Sequence, residues 1–200
     1  MRSGVDSSPQ LSGIDTADTD LESALAAARE GVEWGFVALY RDLQPRLLRY
    51  ATALIGPDAE DVTAETWLQV ARDLHRFDGD LDGFRGWAST ICRHRAADAA
   101  RVRARRPCVV GDMDTISEPT SLSDTADDAL TGLSSREAIA LIATLPQHEA
   151  EAVLLRTVVG LDTVATGTVL GKSAGAVRIA AHRGLKRLGR MLDEQAAREA

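Results

Sequence analysis

The chain has 200 residues, 44% of them apolar, and a formal net charge of −7. This length and composition indicate one or two small globular domains. The apolar stretches are too short to cross a bilayer, and the first twenty residues lack the apolar segment of a secretory signal. We therefore expect a cytoplasmic protein with no membrane insertion. Cys92 and Cys108 lack metal-ligand spacing, which predicts reduced thiols, although a regulatory disulfide remains a minor alternative.

The first predicted segments are a tail and a long helical stretch. Residues 1–20 are acidic and poor in apolar periodicity, which predicts a disordered tail. Apolar residues spaced by three and four then run from Leu21 to Leu54 and predict helix. Pro45 should kink or restart this helix, and Gly56-Pro57 should end it.

Two more helices complete the first predicted domain, residues 21–107. Asp58 is placed to cap a helix whose apolar face runs from Val62 to Leu74. Residues 78–83 form a turn-rich loop, and a third helix begins near Phe84 and ends at Pro107. The second half of that helix is strongly basic: Arg93, His94, Arg95, Arg101, Arg103, Arg105 and Arg106.

The composition changes at Cys108. Residues 108–133 have many acidic side chains and no Lys or Arg, which is typical of a linker. Residues 134–200 then form a second predicted domain of short helices, one of them capped by Asp162. The predicted fold is all-α: two small helical domains joined by a flexible linker, the second a helix-turn-helix domain.

The last predicted helix, from Ser173 to about Asp193, carries the clearest functional signal. Gly171-Lys172-Ser173 forms its corner, and every charge from Ala174 to Arg190 is positive. A cationic helix in an acidic protein favours a nucleic-acid backbone as partner. The simpler alternative is that the basic residues only complement a helix dipole or stay solvated.

Three segments resemble the sigma-70 family of bacterial sigma factors. Residues 58–68 (DAEDVTAETWL) are similar to its A-E-D-L-x-Q-E-T-F segment. Residues 84–101 are similar to F-R-x-W-L-x-x-I-A-R-N-x-x-x-D-x-x-R, and residues 145–188 carry L-P, V-x-G-L and L-G-x-S-x-G-x-V-R in register. The first two belong to the family's second region and the last to its fourth. An architecture of these two domains alone resembles the extracytoplasmic-function subgroup.

The resemblance implies a non-enzymatic function. The first domain would bind core RNA polymerase and melt the −10 promoter element, and the second would read the −35 element. The implied partners are core RNA polymerase, promoter DNA and an anti-sigma factor, and no cofactor is expected.

The resemblance also assigns residues. The predicted polymerase-binding residues are Asp61, Glu65 and Leu68. The predicted −10 residues are Phe77, Asp78, Asp80, Arg93, His94, Asp98, Arg101, Arg103, Arg105 and Arg106. The predicted −35 residues are Lys172, Ser173, Ala174, Gly175, Arg178, His182, Arg183, Lys186 and Arg187.

The sequence allows two functions for several of these side chains. The Asp side chains of the loop either accept from base amino groups or only form turns, and Phe84 and Trp87 are expected in the core rather than in base stacking. Arg178 is the best candidate to contact guanine, if Val177, Ala181, Leu185 and Leu188 face inward.

The sequence departs from the family at several positions. Ala64 replaces a Gln, and His94 replaces an Asn. In the second domain, Thr166 and Gly167 replace Ile and Ala, and Ile179-Ala180 replace Ser-Arg, which leaves the −35 contacts open. Residues 163–170 are rich in β-branched side chains, so we expect this helix to be less stable than usual.

Two other classes of function compete with this interpretation. Gly171-Lys172-Ser173 resembles the end of a phosphate-binding loop, but Gly167 is one residue too close for that motif. A transcriptional regulator that does not replace a sigma subunit would need a ligand pocket or phosphoacceptor in its first half, and none is evident. The four histidines do not pair at helical spacing, so we predict no metal site.

Overall fold

The computed structural model describes residues 13–105 and 135–199, and these residues are helical with no strand among them. This confirms the all-α fold. The helices are α1 (Gly13–Arg29), α2 (Glu33–Ile55), α3 (Ala59–Asp73), α4 (Leu81–Arg105), α5 (Ser135–Ala143), α6 (Gln147–Leu154), α7 (Thr163–Leu170) and α8 (Ala174–Glu199). A π-helical turn, Leu155–Val159, extends α6. The predicted linker, Cys108 and Arg106 lie outside the described residues.

The N-terminal helix corrects the prediction for the tail. α1 begins at Gly13, so residues 13–20, expected to be disordered, are helical. The predicted stretch from Leu21 to Leu54 is also two helices, because Gly31 adopts a left-handed φ of 83° between α1 and α2. The two helices cross closely: a Cβ atom on Gly35 would lie 2.4 Å from the carbonyl oxygen of Ala24.

Two features of the first domain differ in detail from prediction. α2 continues through Pro45, which is exposed, so water can satisfy the carbonyl that loses its partner. Asp58 does occupy the N-cap position of α3, but its carboxylate makes no capping bond and instead contacts Arg103.

Helices α2, α3 and α4 enclose the core of the first domain. Leu43, Leu47 and Val70 are fully buried in it, and Phe84 is 1% exposed. The expectation that Phe84 belongs to the core is therefore confirmed. Trp67 is also buried and donates from Nε1 to Oε1 of Gln44 at 2.6 Å.

The helix-turn-helix of the second domain has the predicted corner. Oδ1 of Asp162 accepts from the backbone N of Ala165 at 2.6 Å, which confirms the predicted cap of α7. Gly171 ends α7 in a left-handed conformation, and Oγ of Ser173 accepts from the backbone N of Ala176 at 3.2 Å. Residues 163–170 form a helix rather than a strand, so the phosphate-binding-loop alternative is wrong.

The inward face of α8 differs from prediction at one position. Val177 is buried as expected, but Leu185 is 51% exposed. Gly184 takes the inward position, where a Cβ atom would lie 2.8 Å from Cγ2 of Val153 on α6. This close approach rotates Leu185 into solvent.

The two domains pack against each other. α4 contacts α7, and α2 contacts α5 and the π-helical turn, so apolar residues of both domains join one buried cluster. Polar contacts also cross the boundary. Nε of Arg93 lies 3.1 Å from Oε1 of Glu151, and Nη1 of Arg46 donates to the carbonyl of Val159 at 3.3 Å. Sequence reasoning linked the domains only through the linker and did not foresee this contact.

Candidate nucleic-acid interface

The loop between α3 and α4 is compact and internally bonded. Oδ1 of Asp80 accepts from the backbone N of Gly83 at 2.8 Å, so Asp80 caps the first turn of α4. Asp78 is exposed. Phe77 is half-buried, stacked on Trp87 at 5.1 Å between ring centroids with planes 23° apart. This loop therefore has an exposed carboxylate next in sequence to an aromatic ring that is held by stacking.

The basic face of α4 is less free than its composition indicates. Arg93 pairs with Glu151, and Arg101 pairs with Asp98 at 2.5 Å. Arg103 contacts Asp58 and donates to the carbonyl of Ile55 at 2.9 Å. His94 and Arg105 are exposed and have no ion-pair partner within residues 13–105 and 135–199. An anionic ligand can bind these two side chains directly, but it must displace a carboxylate to bind Arg93, Arg101 or Arg103.

The predicted polymerase-binding residues share the outer face of α3. Asp61 and Glu65 are exposed, and Leu68 is 65% exposed. Asp61 and Glu65 also line a groove of about 430 Å³ between α3 and α4. On its opposite side Nη1 of Arg95 lies 3.6 Å from Oε2 of Glu65. An exposed leucine beside carboxylates is a surface that a partner protein can bury.

The first half of α8 presents the predicted −35 residues together. Eight of them are exposed and Ala174 is half-buried. Four cations have no ion-pair partner in the described part of the chain: Lys172, Arg178, Arg183 and Lys186. Arg187 differs, because its Nε lies 3.1 Å from Oε2 of the buried Glu149. A duplex placed along this face would meet an unneutralised row of charge.

Sequence reasoning missed two sets of residues at these surfaces. Glu149 and Glu151 face inward on α6 and pair with arginines from α8 and α4. Glu22 and Arg29 on α1 contact the loop that precedes α4. No local pattern marks any of them, because each partner lies at least 38 residues away in the sequence.

Cys92 is buried in the first domain, where desolvation raises its pKa to about 12 although a hydrogen bond with Thr66 opposes the shift. Because the thiolate is the reactive form, we expect no modification by a thiol reagent at pH 8 until the protein unfolds. The measurement is alkylation of native and urea-unfolded protein, read by mass spectrometry, with Cys108 followed separately. Rapid native labelling at Cys92 would contradict the buried position.

Among the described residues, no helix is long and apolar enough to span a membrane. The same residues contain no cluster of three His, Cys, Asp or Glu side chains that could hold a metal ion.

Comparison with known proteins assigns both domains. The family described as Sigma-70 region 2 matches residues 39–106, and the family described as Sigma-70, region 4 matches residues 135–188. The curated ECF RNA polymerase sigma factor ShbA of Streptomyces griseus is 32% identical over 90% of this chain and 99% of its own. The ECF sigma factor BldN of Streptomyces coelicolor is 29% identical over 90% of this chain and 70% of its own.

Solved structures support the fold. CnrH, in complex with the cytosolic domain of CnrY, aligns with a TM-score of 0.59 and 21% identity over 89% of this chain and 98% of its own. The sigma factor RpoE, in complex with the anti-sigma factor NepR from Bartonella quintana, aligns with a TM-score of 0.57 and 17% identity over 88% of this chain and 95% of its own.

Region 2 and region 4 are both present, and region 2 comes first in the chain. This does not favour the alternative of a transcriptional regulator that acts without replacing a sigma subunit. The chain belongs to the sigma-70 family, in its extracytoplasmic-function group, and is a non-enzymatic sigma factor that directs promoter-specific transcription initiation.

Proposed function

We propose that each function of this sigma factor belongs to a defined surface. Core RNA polymerase binds the outer face of α3 through Asp61, Glu65 and Leu68. Loop 77–83 and the basic face of α4 capture the −10 element, and the first half of α8 reads the −35 element. The proposed functional domains are residues 21–107, preceded by the start of α1, and residues 134–200. The protein acts in the cytoplasm.

The observation that carries this proposal is the exposed cationic row that begins at the corner before α8 and continues along that helix. Lys172, Arg178, Arg183 and Lys186 remain free of ion pairs within the described residues, although acidic side chains outnumber basic ones in the chain. In a helix-turn-helix, the N-terminal part of the second helix enters the major groove. Arg178 lies one turn into α8, where a bidentate contact with guanine is possible.

The −10 assignment has a separate basis. Capturing an unstacked base needs a preformed pocket beside cationic side chains. Loop 77–83 is fixed by its own turn, and His94 and Arg105 are exposed along α4. Arg93, Arg101 and Arg103 join them if DNA phosphates displace their carboxylate partners.

An anti-sigma factor is a further proposed partner. The aligned solved structures show sigma factors in complexes with such proteins or with a cytosolic domain. This chain exposes several apolar side chains that a partner could cover, among them Leu68, Val164 and Ile179.

The direct test is transcription in vitro with purified core RNA polymerase and the full chain, on a library of genomic upstream fragments. We expect transcripts from a limited set of fragments that share two spaced elements. Absence of such transcripts, together with failure to co-purify with core polymerase, would refute the proposal.

Arg178→Ala provides a residue-level prediction. Loss of one bidentate base contact should weaken binding to the selected promoter by about 10- to 100-fold and relax the preference for one base of the −35 element. Fluorescence anisotropy of holoenzyme on promoter variants measures both effects. Arg190→Ala is the matched control, since Arg190 is exposed on α8 three turns beyond Arg178. An equal loss in both variants would contradict a base-reading function for Arg178.

A further inference from the structure

We propose that α1 is the platform that positions the −10 capture loop, and that Glu22 and Arg29 thereby set base discrimination at that element. This inference rests on the proposed function of loop 77–83. The family match begins at residue 39, so it assigns nothing to α1. Both residues are positioning residues, because they act through the loop rather than on DNA.

Glu22 fixes the end of the loop. Its Oε1 accepts a hydrogen bond at 2.9 Å from the backbone N of Leu81, the first residue of α4. The first N–H groups of a helix have no partner within the helix, and a carboxylate is favoured at this positive end. Asp80 bonds Gly83 from the same segment, whereas Glu22 ties this helix end to a different helix.

Arg29 fixes the middle of the loop. Its Nη2 donates to the carbonyl of Gly79, and its guanidinium lies 5.2 Å from the centroid of the Phe77 ring. Phe77 is also stacked on Trp87 and meets Phe84 edge-on at 6.0 Å between centroids. One arginine therefore holds both the backbone and the aromatic ring of the loop.

The loop has little room to rearrange around these contacts. A Cβ atom on Gly79 would lie 2.8 Å from Cζ of Phe77, so the backbone passes directly over the ring. Loss of the Arg29 side chain would remove one support from the Gly79 carbonyl and one from the Phe77 ring together. A loop that is not held in place must be ordered on binding. That cost falls on a base that enters the loop and not on a base that stays outside it, so the difference in affinity between the two bases becomes smaller.

α1 is itself firmly seated. Ala24 is fully buried and Ala28 is 8% exposed against α2. The close approach of Gly35 to the backbone of Ala24 leaves no space for the helices to slide. Helix α1 can thus transmit a fixed position to the loop.

The test compares Arg29→Ala and Glu22→Ala with the conservative variants Arg29→Lys and Glu22→Gln. Each is assembled with core polymerase and tested for open-complex formation on promoters that carry each of the four bases at every −10 position. We expect the alanine variants to lower the preference for the best base by about tenfold. Lysine at position 29 keeps a hydrogen-bond donor, and glutamine at position 22 keeps an acceptor. These two variants should therefore retain most of the base preference. Glu30→Ala, at the exposed residue that directly follows α1, is the control and should behave as wild type.

The outcomes separate the two levels of the proposal. A wild-type holoenzyme without any −10 base preference would refute the function of the loop and this inference with it. If wild type discriminates and the alanine variants discriminate equally well, the positioning function alone is refuted. A uniform loss on all promoters that follows the loss of melting temperature would show a merely structural contact and also overturn it. If Arg29→Ala fails to fold, the Glu22 pair decides the question.

Discussion

Gly167→Val should abolish recognition of the −35 element while leaving binding to core polymerase through the first domain largely intact. A Cβ atom at Gly167 would lie 2.6 Å from the backbone carbonyl oxygen of Lys172 and 3.6 Å from the backbone N of Ala174. These are backbone atoms, so no rotamer change relieves the clash. The corner that joins α7 to α8 must open instead, and α8 then meets the duplex at a different angle.

The corner has little capacity to absorb such a change. The backbone N of Lys172 donates to the carbonyl of Gly167 at 2.9 Å. Lys172, whose carbonyl a Cβ atom at Gly167 would displace, therefore also closes the turn. Overpacking of this kind costs about 1–3 kcal/mol. Gly167→Ala, which introduces the residue of the resembling family segment, brings the same Cβ atom against the Lys172 carbonyl. It should act in the same direction but be milder, because it lacks the two γ-carbons of valine.

Duplex binding and thermal unfolding together measure this effect. We expect more than a tenfold loss of affinity for a −35 duplex and a lower melting temperature for Gly167→Val. Gly189→Ala is the control, since a Cβ atom there has no neighbour within 4 Å and a helix interior favours alanine. Wild-type duplex affinity in Gly167→Val would show that the angle between α7 and α8 does not limit recognition.

Local signals predicted the second domain well. The Asp162 cap, the glycine at the end of α7 and the start of α8 each depend on residues within one turn, and each was confirmed. The prediction that Leu185 faces inward was wrong. Whether residue 184 or residue 185 faces inward depends on how closely α6 approaches α8. Only Gly184 permits that approach, and periodicity alone favours the larger apolar residue.

The surfaces were harder to predict than the helices. The sequence showed that α4 is basic, but not that Glu151, Asp98 and Asp58 would take up three of its arginines. Those carboxylates come partly from distant helices, and pairings between distant segments leave no periodic trace. The predicted start of the first helix was too late for a related reason. Residues 13–20 have no apolar pattern of their own, and they extend a helix whose second half is held by packing.

Removal of the Glu151 carboxylate should separate the two domains and improve binding of the free protein to single-stranded −10 DNA. Glu151 is buried on α6 and pairs across the domain boundary with Arg93, whose side chain is 30% exposed. The hydroxyl of the fully buried Tyr50 belongs to the same environment: burial raises its pKa, and the negative charge of Glu151 raises it further. The Arg93–Glu151 ion pair thus lies at a boundary whose buried cluster is largely apolar.

In Glu151→Ala, Arg93 loses its partner but stays near enough to the surface to regain water, so the cost falls on the contact between the domains. For a pair of one buried and one partly buried side chain this is about 1–2 kcal/mol, or roughly a tenfold shift toward the open arrangement. Arg93 would then be available to a phosphate. Small-angle scattering measures the separation, and anisotropy with a −10 oligonucleotide measures the gain in affinity.

Glu149→Ala is the matched control for this experiment. It also removes a buried carboxylate that pairs with an arginine, but its partner Arg187 lies in the same domain. We expect it to lower stability without changing the separation of the domains. Equal scattering profiles and equal affinities for Glu151→Ala and wild type would mean that the apolar contacts hold the domains together without the ion pair.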